Sequence, residues 1–146
     1  MPFDIQGWIE FAYTVDLEDE NAWFGAIDLE TMGLVGDTIS ERLFNLSKAC
    51  VAGEKCVTAV AAGRGVPANP SRRVSRDLEM IKAHNAQYGP GEYGGYTYAS
   101  WPELKAVLFG DDELEESGWK LVFALANQLE QRVPASHIRF VVWFEW

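Results

Sequence analysis

The chain has 146 residues, of which 48% are hydrophobic, 13% aromatic and 23% charged, a composition that suits one packed domain rather than a disordered segment. A formal net charge of −10 argues against direct binding to nucleic acid or to an acidic membrane surface, and no apolar run approaches the ~20 residues of a membrane span. Met1-Pro2-Phe3-Asp4 lacks a basic start followed by an apolar core, so no secretory signal is expected. Cys50 and Cys56, with no further Cys or His close by, read as reduced thiols of a cytoplasmic protein.

Phe3, Ile5, Gly7, Ile9, Phe11 and Tyr13 alternate with Asp4, Gln6, Trp8, Glu10 and Ala12, the period-two pattern of a strand with one apolar face. Asp4 and Glu10 then belong to its solvated face. Six residues of strand, roughly 20 Å, separate them, too far for one acid–base pair. The acidic loop Asp16-Leu17-Glu18-Asp19-Glu20-Asn21 leads to a second strand, Ala22 to Asp28, completing a hairpin. Thr38-Ile39-Ser40-Glu41 is a capping box that opens a helix carrying Leu43, Phe44 and Leu46. The apolar run Cys56 to Ala62 fits strand or helix. Asn69-Pro70 supplies a cap and a first-turn proline for the next helix, whose apolar face is Val74, Leu78 and Ile81 and whose stop is Gly89-Pro90-Gly91.

Tyr93 to Ala99 alternates as a strand. Ser100-Trp101-Pro102-Glu103 is a second capping box, opening a helix that runs to about Gly110. A longer helix is expected from Glu113 to Gln131, with Trp119, Leu121, Val122, Leu125 and Leu129 inward, broken by Pro134. His137 to Trp146 closes the chain as a strand too apolar for an exposed edge. The order predicts one α+β domain over residues 1–146, a mostly antiparallel sheet with helices packed on one side.

Charge is unevenly divided. Between Lys48 and Arg76 lie six basic residues (Lys48, Lys55, Arg64, Arg72, Arg73, Arg76) and one acid, Glu54. This window is therefore +5 in a chain of −10. It holds Gly63-Arg64-Gly65 and the start of a helix, where backbone N–H groups and arginines together suit a phosphate. Arginine in a first helical turn opposes the macrodipole, a cost that a bound anion would remove. The ligand-binding residues expected are Arg64, Gly65, Ser71, Arg72 and Arg73, with Tyr96 and Tyr98 from the aromatic strand to stack a planar group. Gly94-Gly95 in that strand marks a close approach by a ligand or by other parts of the chain. The acidic run Asp111, Asp112, Glu115 and Glu116 complements a helix N-terminus and is a candidate surface for a basic protein partner. His84 and His137 stand apart, and no hydrolase, zinc or phosphate-loop motif is present. No catalytic residue, metal ligand or cofactor is therefore assigned.

Four segments in order carry a resemblance: Asp4-Ile5-Gln6-Gly7-Trp8-Ile9-Glu10, Arg64-Gly65-Val66-Pro67, Ser100 to Leu104, and Arg139 to Glu145. Together they resemble a family of small uncharacterised bacterial and phage proteins, which open on an Asp-Ile-His strand and close on an arginine followed by β-formers, an aromatic and an acid. The family implies a phage or prophage accessory role and carries no activity across. Gln6 stands where its members place a histidine, and Tyr96 and Tyr98 lie where they place a second. Any metal or acid–base work of those histidines would be lost here.

The expected function is that of a small non-enzymatic binding protein of counter-defence type, sequestering a phosphate-bearing small molecule such as a nucleotide signal. The alternative is an acidic inhibitor that occupies the basic nucleic-acid-binding surface of a host protein. A second alternative is an enzyme whose site is assembled from scattered residues. A homo-oligomer is compatible with all three.

Overall fold

The computed structural model describes residues 3–47, 50, 58–110 and 112–146. Four strands, β1 (Asp4–Ala12), β2 (Trp23–Asp28), β3 (Tyr93–Ser100) and β4 (Ile138–Glu145), form one antiparallel sheet in the order β2-β1-β4-β3. The described helices are α1 (Thr38–Phe44), α2 (Arg72–Tyr88), α3 (Trp101–Lys105) and α4 (Trp119–Leu129), with 3-10 turns at Glu30–Met32 and Ala135–His137. The fold is α+β. No helix among the described residues is long and apolar enough to cross a membrane.

β4 sits between β1 and β3 because it is apolar on both faces. One face presents Ile138, Phe140 and Val142 to a core shared with Ile5 and Ile9 of β1, Leu43 and Phe44 of α1, Trp101 of α3, and Trp119 and Val122 of α4. The other presents Val141 and Trp143, which pack with Trp8, with Val74, Leu78 and Ile81 of α2, and with Tyr93, Tyr96 and Tyr98. The expectation that all helices lie on one side is therefore corrected: among the described helices, α2 covers the second face and the others pack on the first. The alternating residues of β1 and β3 that read as a polar or merely aromatic face form, with β4, a second apolar surface that water would otherwise wet.

Two glycines meet steric demands of the sheet. Gly7 has φ 140°, and a Cβ there would lie 1.9 Å from the Val141 carbonyl oxygen. Gly95 has φ 69°, in the irregular stretch where β3 shifts register against β4, and its Cβ would fall 2.4 Å from Leu46 Cδ2. The close approach marked by Gly94-Gly95 is thus made by core side chains, Leu46 and Phe144.

Helix starts differ from the sequence reading in three places. Asp37, not Thr38, caps α1, accepting from the Ser40 amide. Ser71, not Asn69, caps α2, because the Asn69 side chain is engaged elsewhere. Glu113 is drawn back to the Gly110 amide and across to Arg42, and Gly118, a poor helix former, stands just ahead of Trp119. Residues 112–116 are turns, and α4 begins six residues later than expected. Its buried stripe is Trp119, Val122 and Ala126, and Leu121 is 56% exposed. The second capping box forms as expected at Ser100 and Glu103, but α3 ends at Lys105. Of the run Cys56 to Ala62, residues 56 and 57 lie outside the described residues, and 58–62 are neither strand nor helix. Cys50 is disulfide-bonded, which corrects the reading of a reduced thiol.

Candidate functional site

Glu10 and Arg139 face each other across β1 and β4, on the side that α2 covers. Each stands on a strand that is otherwise almost wholly buried, so neither can reach water without unpairing the strand. Glu10 is 0% and Arg139 7% exposed. Arg139 Nε donates to Glu10 Oε1 at 2.6 Å, and the Ser71 amide donates to Glu10 Oε2 at 2.6 Å. Arg139 Nη2 and Nη1 donate to the carbonyl and side-chain oxygens of Asn69 at 2.9 and 3.3 Å. The guanidinium lies 4.0 Å from the centre of the Trp23 ring. Burial lowers the Arg139 pKa, and Glu10 draws it back up; an arginine stays protonated throughout.

Glu10 thus brings a carboxylate to the N-terminal end of α2. The helix, with no acid in its first turn, receives its counter-charge from the sheet. The anion that the sequence seemed to call for from outside is partly supplied from within.

Asn69 passes the order on. Its side-chain amide donates to the carbonyls of Leu17 and Asp19 at 2.8 Å each, and Trp23 Nε1 donates to the Leu17 carbonyl at 3.0 Å. The acidic hairpin loop is thereby pinned against the start of α2. Between them lies a cleft of about 720 Å³, with Trp23, Gly25 and Pro70 among its lining residues and Glu20, Asn21, Arg72 and Arg73 contributing its polar groups. Arg73 reaches it by lying flat. Its guanidinium is 5.2 Å from the Trp8 ring centre, and a Cβ on Gly25 would lie 2.9 Å from Arg73 Cβ. Among the described residues Arg72 has no hydrogen-bond or ion-pair partner, and both arginines are exposed. Phe24 also borders the cleft, but its ring packs with Phe11 and Tyr13 on the other face of the sheet.

Arg72 and Arg73 therefore share one cleft, with the N-cap Ser71 buried behind them. Arg64, Tyr96 and Tyr98 are not among its lining residues. Arg64 makes a bidentate pair with Glu103 at 2.9 and 3.1 Å and donates to the carbonyls of Val60 and Tyr98. The Gly65 amide donates to the Tyr96 carbonyl at 2.9 Å. This loop clamps the outer edge of β3. Tyr96 and Tyr98 pack against the core beneath α2, and burial raises the Tyr96 pKa.

The Arg64 pair has a pH signature. The Arg64 guanidinium first, then the Ser100 amide and hydroxyl, hold Glu103 down from the ordinary 4.5 to about 2. A depressed carboxylate stabilises above its unfolded pKa and loses that contribution as pH falls through its folded one. The stability gap between the native chain and Arg64→Ala should be complete above about pH 4.5 and close as pH approaches 2. It should be modest, about 0.2–1 kcal/mol, because both side chains are over a third exposed. Urea titrations at pH 6 and pH 2 check it; a gap that persists at pH 2 would assign the effect to lost packing.

Of the acidic run, Asp111 lies outside the described residues. Asp112, Glu115 and Glu116 are exposed on turns. Glu115 pairs with Lys120, and Glu116 lines a separate cleft of about 450 Å³ with Asp37, Arg42 and Glu113. His137 Nδ1 is 2.9 Å from the Ala12 carbonyl, and His84 meets Glu92. At the far end of the α2 face, burial and then Asp28, Glu145, Asp77 and Asp4 raise the Glu30 pKa. Burial and then Glu145 push Tyr93 up to about 12. Among the described residues, no group of three His, Cys, Asp or Glu is placed to hold a metal ion.

Sequence reasoning missed Glu10, Arg139, Asn69 and Trp23. A signal was present for two of them: Glu10 and Arg139 are opposite charges set in strands otherwise rich in apolar residues. Their register, and hence their pairing, was not visible. No family model, curated protein or solved structure matches the chain, so its function has to be read from the cleft.

Proposed function

We propose that this chain is a small non-enzymatic binding protein that captures a phosphate-bearing small molecule, of the class of a nucleotide signal, in the cleft between β2 and the start of α2. One observation carries the reading: Arg72 and Arg73 share a single cleft of a size that takes small ligands. The buried Glu10–Arg139 network behind it holds the backbone of both walls, so the cleft is formed before a ligand arrives. Arginine suits the forked geometry of a phosphate, and Trp23 offers a ring edge. Arg64, Tyr96 and Tyr98 support the scaffold in this reading rather than the ligand. A phage or prophage accessory role of counter-defence type fits a sequestering protein. The cytoplasm is the compartment that goes with such a ligand; the Cys50 disulfide weighs against it, since disulfides persist in oxidising compartments.

Inorganic phosphate, sulfate or a nucleotide at millimolar concentration should raise the melting temperature. Ligand at about a hundredfold its Kd stabilises by about 2.7 kcal/mol, several degrees in a domain of this size. Arg72→Ala should remove the shift and Arg64→Ala should leave it. No shift with any phosphorylated compound would end the proposal.

A second reading, an acidic inhibitor of a basic nucleic-acid-binding protein, is favoured by the exposure of Asp112, Glu115 and Glu116 on turns. Their replacement by Asn and Gln should abolish such an association and leave the phosphate shift untouched.

A further inference from the structure

The sheet has two edges and treats them differently. The β3 edge is covered by the chain itself: Gly65 donates to the Tyr96 carbonyl, and Thr97 Oγ1 donates to the Ala61 carbonyl. The β2 edge is open. Among the described residues no backbone hydrogen bond reaches Phe24, Gly25, Ala26 or Ile27 from outside the sheet. Edge strands are usually protected by lysine, proline, an inward charge or a bulge; Trp23-Phe24-Gly25-Ala26-Ile27 has no lysine, proline or charge before Asp28, and its one such device is the register shift against β1 at Ala26.

Clefts flank this edge on both faces of the sheet. On one side is the Arg72 and Arg73 cleft. On the other, Phe11, Tyr13, Leu129 and Val133 line a mostly apolar groove of about 370 Å³ with Arg132 at its side, and Gly25 borders both. Tyr13 is 60% and Phe24 52% exposed, with their rings in one cluster with Phe11. An added strand sends alternate side chains to opposite faces, so each cleft would receive every second one.

We propose that the open edge of β2 takes an extended partner strand whose side chains alternate apolar and charged. The apolar ones fill the groove at Tyr13 and Val133. On the other face an acidic side chain meets Arg72 and Arg73, and basic ones flank it to meet Glu20, in the loop that enters β2, and Asp28, the last residue of β2. Charge argues against a second copy as occupant: two antiparallel β2 strands would set the Glu20 end of one against the Asp28 end of the other, acid against acid. Main-chain bonds supply the affinity and the alternation supplies the selectivity. This strand site shares Arg72 and Arg73 with phosphate capture and differs from it in needing the edge amides, which phosphate does not.

The probe is the synthetic peptide Lys-Val-Glu-Val-Glu-Val-Lys with blocked ends, followed by amide chemical shifts of the full chain. The largest changes are expected at Phe24 to Ile27, and binding should be at least about tenfold weaker for a scrambled peptide that breaks the alternation. Two further peptides carry N-methyl groups on alternate residues; one should lose binding and the other keep it, because one set of amides faces β2. Tyr13→Ser should weaken the peptide and spare the phosphate shift. Absence of binding at millimolar peptide, equal binding of both methylated forms, or a concentration-dependent dimer with the same shift pattern would overturn the proposal. Inorganic phosphate binding that survives any of those results would leave the proposed function standing.

Discussion

Arg139→Met is expected to cost about 3–5 kcal/mol, the penalty for removing one member of a buried ion pair and leaving the other charged and alone. Glu10 is 0% exposed, and among the described residues its carboxylate is held by Arg139 and the Ser71 amide. The double variant Glu10→Leu/Arg139→Met should recover only part of the loss. An isolated pair can often be replaced by apolar residues at little cost, but this one also serves the Ser71 amide and the Asn69 carbonyl, and the double variant leaves both without their partners. Arg139→Lys should fall between, because an ammonium keeps the charge and loses the fork that spans Glu10 and Asn69. Urea denaturation of the four proteins decides it. A loss below about 1 kcal/mol for Arg139→Met would mean that water reaches the pair, since exposed ion pairs are worth that little. Phosphate binding is expected to weaken in parallel, because Asn69 positions the cleft wall from the same guanidinium.

Trp143→Ala should cost about 3–5 kcal/mol, with no dependence on protein concentration. Trp143 is 1% exposed within the single chain, packed beneath α2 with its ring 6.0 Å from that of Tyr96. Its Nε1 donates to Gln6 Oε1 at 3.1 Å, so truncation opens a cavity and also leaves a buried acceptor unmet. Phe140→Ala on the opposite face should cost a similar amount, since that ring stacks between Trp101 and Trp119 at 5.8 and 6.4 Å. Denaturation at two protein concentrations with gel filtration tests both. A Trp143→Ala chain of unchanged stability that elutes as a smaller species would move this residue from the core of the chain to an interface between copies.

Local patterns in the sequence determined a good deal. The sequence placed all four strands to within a residue or two, β1 and β3 by their alternation, and the doubly apolar run from Ile138 to Phe144 required an interior position for β4. The Ser100–Glu103 capping box and the stop at Gly89 are relations between near neighbours, and they formed as written. The excess of basic residues near Arg72 singled out the start of α2 because charge density needs no fold to be counted. Tertiary structure decided whatever depended on partners far along the chain. Glu10 read as solvated because period two separates the faces of a strand without saying what covers each. Only the pairing of β1 with β4, 129 residues apart at this point, and the arrival of α2 above them made it the most buried carboxylate of the site. Asn69 looked like a helix cap and became a strut between Arg139 and the hairpin loop. Arg64 looked like a ligand arginine until Glu103, 39 residues away, claimed it. Each residue had the chemistry for either role, and the choice fell to the contact that best satisfied a buried or fixed polar group, which is set by the register of the sheet and not by the neighbours in sequence.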